Sequence, residues 1–258
     1  YDLGIWEPYL SYHLLEDMKL CCQAGHFVDI GADLGWYSLL AASMGCTVDA
    51  FEAVPWYQSL IEYTKDELNV ASLGEKISLH SKTFLEAVGQ QRTLVVPKEQ
   101  TTAPTNITGE AITDCGEDAD CFDVTTTNLD TELHLAAPNK KTPAACGMRL
   151  NADGLESAIV QGGHRYLKSY LPRVVVLELN PAMKQMLGGP GANQENVAML
   201  EKFLRLNYIP YLLHWEAIKS SNWNLIQGNI EAMRFSGGMK KLMRDCRTYC
   251  VVYFKRVR

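Results

Sequence analysis

The sequence alternates between short apolar segments rich in β-branched residues and longer segments with apolar residues at helical spacing. This alternation constrains the fold most, because a strand, a helix and a second strand in succession form a right-handed crossover in a parallel sheet. The predicted strands are 26–30, 47–51, 77–80, 94–96, 122–126, 148–151, 174–179, 208–213 and 249–254. The predicted helices are 9–22, 36–44, 55–69, 129–135, 155–167 and 193–206. We therefore predict an α/β fold with a doubly wound, mostly parallel sheet.

Length and composition indicate one globular domain. The chain has 258 residues, of which 47% are hydrophobic and 21% are charged, so it can bury a sizeable core and is not a disordered chain. No run approaches the ~18 consecutive apolar residues of a membrane-spanning helix. We predict a single domain over residues 1–258, with an N-terminal helical segment at 1–25 and a long loop or insertion at 98–120. The N-terminus has neither an initiator Met nor a signal pattern, which indicates a processed product or a piece of a longer protein.

Charge is distributed unevenly along the chain. Residues 1–130 carry 6 Lys or Arg and 21 Asp or Glu, whereas residues 131–258 carry 18 and 9. A basic C-terminal half could attract phosphates, acidic glycans or nucleic acid. No block of like charge is long enough to form a separate tail, so we favour a surface that balances the acidic half within one fold.

The eight cysteines show no Cys-x-x-Cys pair and no zinc-finger spacing with histidine. We therefore predict no metal site. Cys46 and Cys146 lie in apolar stretches and are predicted to be small buried apolar side chains. Cys115 and Cys121 could pair in an oxidising compartment. The compartment stays open at this point, although the pattern leans toward a reducing, cytoplasmic one.

The segment after the first predicted strand is the strongest indication of a ligand site. Strand 26–30 runs directly into Gly31-Ala32-Asp33-Leu34-Gly35, which precedes a predicted helix. Ligands of doubly wound sheets bind at the carboxyl ends of the strands, where glycines let the backbone turn and approach a ligand closely. The spacing differs from the Gly-x-Gly-x-x-Gly of dinucleotide-binding folds, which argues against a nicotinamide dehydrogenase.

Two acidic residues beside this loop indicate a cationic nucleoside ligand. Asp29 precedes Gly31, where a carboxylate disfavours a pyrophosphate and suits the sulfonium and ammonium groups of S-adenosylmethionine. Glu52 ends the second predicted strand, where an acid bonds ribose hydroxyls in nucleoside-binding folds. Ser81, after the third strand, could bond the adenine edge, and a simple turn explains it equally well. We predict S-adenosylmethionine as the cofactor.

Five separated segments resemble the FkbM family of S-adenosylmethionine-dependent methyltransferases. They are Trp6-Glu7-Pro8, residues 28–38 with 48–52, 124–130, 149–156 and 175–178, and they follow the family's order over roughly residues 5 to 215. The resemblance implies a class I, Rossmann-like methyltransferase fold with a seven-stranded sheet. The cofactor-binding residues that it implies, together with the residue reasoning above, are Glu7, Asp29, Gly31, Ala32, Asp33, Gly35, Trp36, Tyr37, Ser38, Glu52 and Ser81.

Three residues depart from the family pattern. Asp33 stands where the family usually has Asn, Asn151 where it usually has Asp, and Asp153 where it has Glu. An Asn side chain cannot serve as a general base or supply a charged metal ligand. If the family's Asp is catalytic, this chain either moves the role to Asp153 or has lost activity.

Methyl transfer to a hydroxyl requires alignment and a nearby base. The catalytic candidates near the ends of two core strands are Asp153, Glu178, Glu156 and Asn151, and Asp153 is favoured as the base. Each acid also has a structural interpretation. Asp153 could cap the helix at 155–167, Glu156 could interact with the dipole of that helix, and Glu178 could pair with a basic neighbour.

The resemblance implies methyl transfer to a hydroxyl of a sugar, glycan or related small molecule. One alternative is an RNA 2′-hydroxyl methyltransferase, which the basic C-terminal half favours. A second is a binding module with weakened catalysis, which Asn151 favours. Nucleic acid is the less favoured partner, because the segment 180–183 lacks the aromatic ring used by enzymes that methylate base amines. The sequence leaves the oligomeric state open.

Overall fold

The structure is a computed structural model that describes residues 4–66, 73–85, 87–98, 106–107, 115–134, 144–181, 192–214, 218, 220, 222–246 and 249–257. Its strands are β1 (Gly25–Ile30), β2 (Thr47–Phe51), β3 (Ile77–His80), β4 (Thr83–Phe84), β5 (Gln91–Pro97), β6 (Asn106–Ile107), β7 (Ala119–Thr127), β8 (Ala144–Leu150), β9 (Val174–Leu179), β10 (Tyr208–His214) and β11 (Cys250–Arg256). Its α-helices are α1 (Pro8–Met18), α2 (Trp36–Ser43), α3 (Pro55–Asp66), α4 (Glu156–Gly162), α5 (His164–Tyr170), α6 (Ala192–Arg205), α7 (Trp223–Ile226) and α8 (Met239–Asp245). In these ranges, no helix is both long and apolar enough to cross a membrane.

Seven strands form the main sheet in the order β10-β11-β9-β8-β1-β2-β3. The five strands from β9 to β3 in this order are parallel, and β11 runs antiparallel to both β9 and β10. The chain winds outward from β1 in one direction and from β8 in the other, so the strand order reverses between these two strands. This arrangement confirms the predicted mostly parallel, seven-stranded sheet.

The pleat of the central strands sends neighbouring side chains to opposite faces of the sheet. In β1, Phe27 packs in a core cluster with α1 and α2, whereas Val28 packs in a second cluster with α4, α5 and α6. Both side chains are fully buried. Apolar runs such as Val174–Leu177 follow from this, because a parallel strand covered on both faces needs apolar residues at most of its positions.

A second sheet of four strands, in the order β4-β7-β5-β6, lies in sequence between β3 and β8. The strands predicted at 94–96 and 122–126 belong to it rather than to the main sheet. Leu94 and Val124 pack on Val54 at the end of β2, which places this small sheet beside the carboxyl edge of the main one. The predicted insertion at 98–120 connects β5 to β7, and residues 99–105 and 108–114 lie outside the described part.

Two predicted helices differ from those observed. The single helix predicted at 155–167 is broken into α4 and α5 at Gly163, where an added Cβ would lie 2.7 Å from Leu129. The break therefore lies where the helix packs against Leu129, just ahead of the π-helical turn at Asp130–His134, with no room for a side chain. The helix predicted at 9–22 ends at Met18, because the chain then turns into a 3-10 segment at Cys22–Ala24.

All eight cysteines are paired in disulfides. The pairs are Cys21–Cys146, Cys22–Cys46, Cys115–Cys121 and Cys246–Cys250. The possible pairing in the loop is therefore observed, and the two cysteines predicted as buried apolar side chains are buried but bonded. Disulfides form and persist mainly in oxidising compartments, whereas the sequence pattern leaned toward a reducing one.

Candidate functional site

A cleft lies at the carboxyl ends of β1, β2 and β8, where the strand order reverses. In doubly wound folds, ligands bind at this position. Its lining comes from the loops that follow β1, β2, β3 and β8, and comprises Ile30, Gly31, Asp33, Phe51, Glu52, Ala53, Val54, Tyr57, Lys82, Thr83, Phe84, Leu94, Asn151, Ala152, Asp153, Leu155 and Ile159.

The glycine loop is fixed by its neighbours on both sides. The backbone N–H groups of Gly31 and Ala32 donate to the carbonyl oxygen of Phe51 at 2.9 and 3.1 Å. Gly31 has φ +73°, and a Cβ there would lie 1.7 Å from the carbonyl oxygen of Asn151. The sequence analysis predicted that a glycine here lets a ligand approach the backbone. The structure adds a second reason, because the loop after β8 also lies against this position.

Glu52 organises the loops that border the cleft. It is 5% exposed, and its two carboxylate oxygens accept the backbone N–H groups of Asp33 at 2.9 Å and Val54 at 2.8 Å. Burial and the charge of Asp33 raise the pKa of Glu52 to about 7, although these N–H bonds lower it. Ser81 does not line the cleft, and its hydroxyl accepts a hydrogen bond from Gln58 at 3.0 Å.

Below the glycine loop, Arg149 holds a buried charge network together. Its guanidinium donates to Glu178 at 2.6 Å, to Asp29 at 3.2 Å and to the carbonyl oxygen of Gly31 at 2.7 Å, and it lies 3.5 Å from a carboxylate oxygen of Asp33. Burial raises the pKa of Asp29, whereas Arg149 lowers it. Sequence reasoning missed Arg149. The sequence does contain a signal for it, because Arg149 is a single basic residue on the predicted strand 148–151, which ends at the site.

The N-terminal segment reaches the same network. Glu7 is 2% exposed and accepts a hydrogen bond from the hydroxyl of Tyr37, whose ring centroid lies 4.7 Å from the guanidinium carbon of Arg149. Burial and the charge of Glu178 raise the pKa of Glu7 to about 7. On the same side, Trp36 donates to Ser11 at 2.8 Å. These side chains support the glycine loop from behind and do not line the cleft.

The three acids predicted near the core strand ends have different surroundings. Asp153 lines the cleft, and its carboxylate forms no hydrogen bond or ion pair with the described residues. Glu156 is 1% exposed and accepts the backbone N–H groups of Ala152 and Gly154 at 3.0 and 3.1 Å. Glu178 bonds Arg149 and the hydroxyl of Tyr249.

These contacts bear on the structural interpretations of the three acids. Glu178 pairs with a basic neighbour, Arg149, as one interpretation predicted. Glu156 lies in the first turn of α4, where a dipole interaction was predicted, and its carboxylate accepts N–H groups of the preceding loop. Asp153 does not cap the helix, since the N-cap residue is Leu155 and no side chain bonds there. Asn151 lines the cleft and donates to Asp33 at 3.3 Å.

Of the residues predicted for the site, the cleft brings together Gly31, Asp33, Glu52, Asn151 and Asp153. The others lie behind or beside it: Glu7, Asp29, Ala32, Gly35, Trp36, Tyr37, Ser38, Ser81, Glu156 and Glu178. Asp29 is fully buried and accepts a hydrogen bond from the hydroxyl of Ser38 at 2.7 Å, so its carboxylate does not contact the cleft directly. Lining residues that the sequence reasoning missed include Tyr57, Lys82 and Thr83.

No family model and no curated protein matches this sequence. Solved structures do. A methyltransferase FkbM from Methylobacillus flagellatus KT is 13% identical with a TM-score of 0.46, and the match covers 90% of this chain and 44% of that one. The chain thus spans less than half the length of that protein.

Two further solved structures are similar over most of their length. A geranyl diphosphate methyltransferase in complex with SAM is 13% identical, with a TM-score of 0.45 and 97% and 85% of the two chains covered. An rRNA methylase from Streptococcus thermophilus is 10% identical, with a TM-score of 0.45 and 96% and 95% covered. Similarities at this level assign neither an activity nor a substrate to this chain.

Proposed function

We propose that this chain is an S-adenosylmethionine-dependent methyltransferase that methylates a hydroxyl oxygen. The observation that carries the proposal is the cleft at the strand-order reversal, which is lined by Gly31, Asp33 and Glu52. It also holds the carboxylate of Asp153, which forms no hydrogen bond or ion pair with the described residues. An acidic cleft attracts the sulfonium and ammonium groups of S-adenosylmethionine, whose two positive charges outweigh its one carboxylate. The same cleft also supplies a group that can take a proton.

The residues present fit this cofactor. When bound, S-adenosylmethionine supplies a methyl group on a positively charged sulfur. Asp33 and Glu52 give the cleft negative charge, and Phe51 and Phe84, in edge-to-face contact at 4.7 Å between centroids, give it apolar surface for a flat base. Because Glu52 also joins two loops through backbone N–H groups, it shapes the site in addition to any contact with a ribose.

Asp153 is the residue proposed to accept the proton of the hydroxyl as its oxygen is methylated. Burial and the charge of Glu178 raise the pKa of Asp153, which makes it a better proton acceptor than an ordinary aspartate. Glu156 and Glu178 are occupied by N–H groups and by Arg149. Asn151 positions Asp33 and takes no proton.

For the acceptor, we propose a sugar, glycan or related small molecule, as the resemblance to the FkbM family implies. Membership of that family is part of this proposal. RNA is the alternative acceptor, and a binding module with weakened catalysis is the alternative to an enzyme. The four disulfides support an oxidising compartment in place of the cytoplasmic location predicted from the sequence.

Isothermal titration calorimetry with S-adenosylmethionine tests the cofactor. We expect binding by the unmodified chain, and a loss of about 1.5–3 kcal/mol in Glu52→Ala, because charge-assisted hydrogen bonds that shape the site are removed. Glu62→Ala is the control, since that carboxylate lies on α3 and pairs with Lys65. Absence of binding by the unmodified chain would refute the proposal.

Turnover with a panel of hydroxyl acceptors tests the base. Asp153→Asn keeps the shape of the side chain and removes the proton acceptor, so the methyl-transfer rate should fall by ~10²–10⁴-fold with cofactor affinity unchanged. Asp118→Asn, in an exposed turn, is the control. Asn151→Asp tests whether the departure from the family pattern weakens catalysis. Equal turnover in Asp153→Asn would move the role elsewhere, and no turnover in any variant would favour the binding module.

A further inference from the structure

A second cavity lies at the amino ends of β8 and β9, at the edge of the main sheet opposite to the cleft. It has a volume of about 520 Å³, and its lining includes Cys21, Ala145, Tyr170, Arg173 and Arg256. The proposed methyl transfer does not use this cavity. Both charged residues of the lining are arginines, and none of the described lining residues is acidic. The lining is therefore positively charged.

The two arginines occupy directly opposed positions of an antiparallel strand pair. Lys255 of β11 is paired with Val174 of β9, and the same register puts Arg256 opposite Arg173. The backbone N–H of Arg256 donates to the carbonyl oxygen of Arg173 at 3.1 Å, as this register requires. The Cβ atoms of directly opposed residues lie about 4.5–5.5 Å apart, and like charges in such a pair destabilise the sheet. An anion shared by both guanidinium groups would remove this cost.

The described part of the chain supplies no carboxylate to this pair. Neither Arg173 nor Arg256 forms an ion pair with a described residue, and the Nε of Arg173 is buried without a hydrogen-bond partner. Asp17, in the last turn of α1, is occupied by the ammonium of Lys255 at 3.0 Å and by the hydroxyl of Tyr253 at 2.7 Å. The lysine next to Arg256 in sequence thus has a counterion, whereas the charge of the two arginines stays unbalanced.

The opposed positions distinguish this pair from other arginines that lack an ion pair. Arg234 and Arg244, in the described ranges, also form none. Both are exposed, and neither is opposed to a second arginine across paired strands. A single exposed guanidinium is solvated by water and gains little from a counterion. Two guanidinium groups that share a strand pair and a cavity repel each other, so they attract an anion more strongly.

We propose that Arg173 and Arg256 together bind the carboxylate or phosphate group of a small organic anion. The planar fork of a guanidinium matches these oxyanions, because it donates two parallel hydrogen bonds to them. Leu20, Ala24 and Leu171 give the same cavity apolar walls, which suit the organic part of such a ligand. The inference does not depend on the proposed methyl transfer, since this cavity lies at the other edge of the sheet.

Calorimetric titration at constant ionic strength tests this inference, because salt screens exposed charges. The probes are benzoate, phenyl phosphate and benzamide, which carry a carboxylate, a phosphate and an uncharged amide on the same ring. We expect at least one of the two anions to bind about ten-fold or more tightly than benzamide, which corresponds to one charge-assisted hydrogen bond. The anion that binds more tightly identifies the oxyanion that the cavity prefers.

Single variants connect the preference to the two arginines. Arg173→Gln and Arg256→Gln should each bind the preferred anion about ten-fold more weakly and benzamide equally well. Arg234→Gln is the matched control, because Arg234 is also an arginine without an ion pair but does not line this cavity. Lys82→Gln is the control for the cleft, where Lys82 is a cation of the lining. Both controls should bind the anion as the unmodified chain does.

Thermal unfolding separates anion binding from a purely structural role. Without ligand, Arg256→Gln should unfold at the same temperature as the unmodified chain or at a higher one, because the repulsion between the opposed guanidinium groups is relieved. The preferred anion should raise the unfolding temperature of the unmodified chain and not that of the variant. The inference is overturned if neither anion binds more tightly than benzamide, if the glutamine variants keep full affinity, or if Lys82→Gln loses it equally. A lower unfolding temperature of Arg256→Gln without ligand would also contradict an unbalanced pair.

Discussion

At the scale of single residues, Arg149 connects buried carboxylates of the main sheet to the glycine loop. It is 3% exposed and bonds two buried carboxylates, those of Asp29 and Glu178, and a loop carbonyl. Removing one partner from a buried ion pair leaves an uncompensated charge in a medium that solvates it poorly. The stability of the carboxyl edge of the main sheet and of the glycine loop therefore depends on this side chain.

Arg149→Met should lower the free energy of unfolding by about 3–5 kcal/mol in urea denaturation. Arg149→Lys should lose less, because the charge remains while the fork that reaches several partners is lost. Arg205→Met is the control, since Arg205 is 67% exposed beside Glu201 and its removal should cost no more than about 1 kcal/mol. Equal losses for the two methionine variants would contradict the buried network.

Glu156 makes stability depend on pH. Burial, with a smaller effect from the charge of Asp153, raises its pKa from 4.5 to about 7, although backbone N–H groups lower it. Between about pH 4.5 and 7 the folded chain holds this proton and the unfolded chain does not. Its contribution to stability is therefore complete below that range, declines as the pH rises through it, and is lost above pH 7.

Glu156→Gln imitates the protonated side chain and should remove this part of the pH dependence. One proton contributes a slope of at most about 1.4 kcal/mol per pH unit. Urea denaturation at pH 5, 6, 7 and 8 measures the slope, with Glu201→Gln on the exposed face of α6 as the control. A variant with the slope of the unmodified chain would show that Glu156 is not the titrating group.

At the scale of elements, β1 and β8 come so close at their carboxyl ends that only glycine fits. Gly31 and Gly89 have similar dihedral angles, φ +73° and +76°, but a Cβ at Gly89 would meet nothing within 4 Å. The two positions therefore share the cost of a left-handed residue and differ only in the contact with Asn151. Comparing them separates backbone strain from the approach of the two loops.

Gly89→Ala should lower the free energy of unfolding by about 1–2 kcal/mol, the cost of placing a Cβ in the left-handed region. Gly31→Ala should lose several kcal/mol more or fail to fold, because the loop after β8 must move. Urea denaturation of both variants provides the comparison. Similar losses would mean that the loop after β8 yields easily.

At the scale of the whole molecule, the disulfides join parts that are distant in sequence. Cys21–Cys146 closes a separation of 125 residues and ties the end of α1 to β8, whereas Cys246–Cys250 closes a separation of 4. The entropy that a cross-link removes from the unfolded chain grows with loop length. The long-range pair therefore stabilises the attachment of the N-terminal segment, which carries Glu7.

Replacing both cysteines of the long-range pair with serine should lower the free energy of unfolding by about 4–5 kcal/mol, and replacing Cys246 and Cys250 by about 2 kcal/mol. Urea denaturation of the two double variants under non-reducing conditions measures the difference. Thiol titration of the unmodified, denatured chain should find no free cysteine. A full set of free thiols in material kept from reductant would contradict the pairing.

Much of the main sheet follows from local sequence. Strands 47–51, 77–80 and 174–179 have the limits that were predicted, because each is a short segment rich in apolar and β-branched residues that is bounded by polar or turn-forming residues. The glycine loop could also be predicted from the sequence, since a strand, two spaced glycines and a helix in succession are typical of a ligand-binding loop. The assignment of the whole chain to one domain stays a prediction.

What the tertiary structure decided is which distant residues meet. Nothing local distinguishes Asp153, which is free in the cleft, from Glu178, which is neutralised by Arg149. The difference arises because parallel crossovers bring β1, β8 and β9 side by side, although more than 100 residues of sequence separate β1 from β8. The same holds for Cys21, which is bonded to Cys146. The periodicity of apolar residues predicts which face of each helix or strand is buried. The partners of a side chain depend on how the helices and strands are arranged in three dimensions.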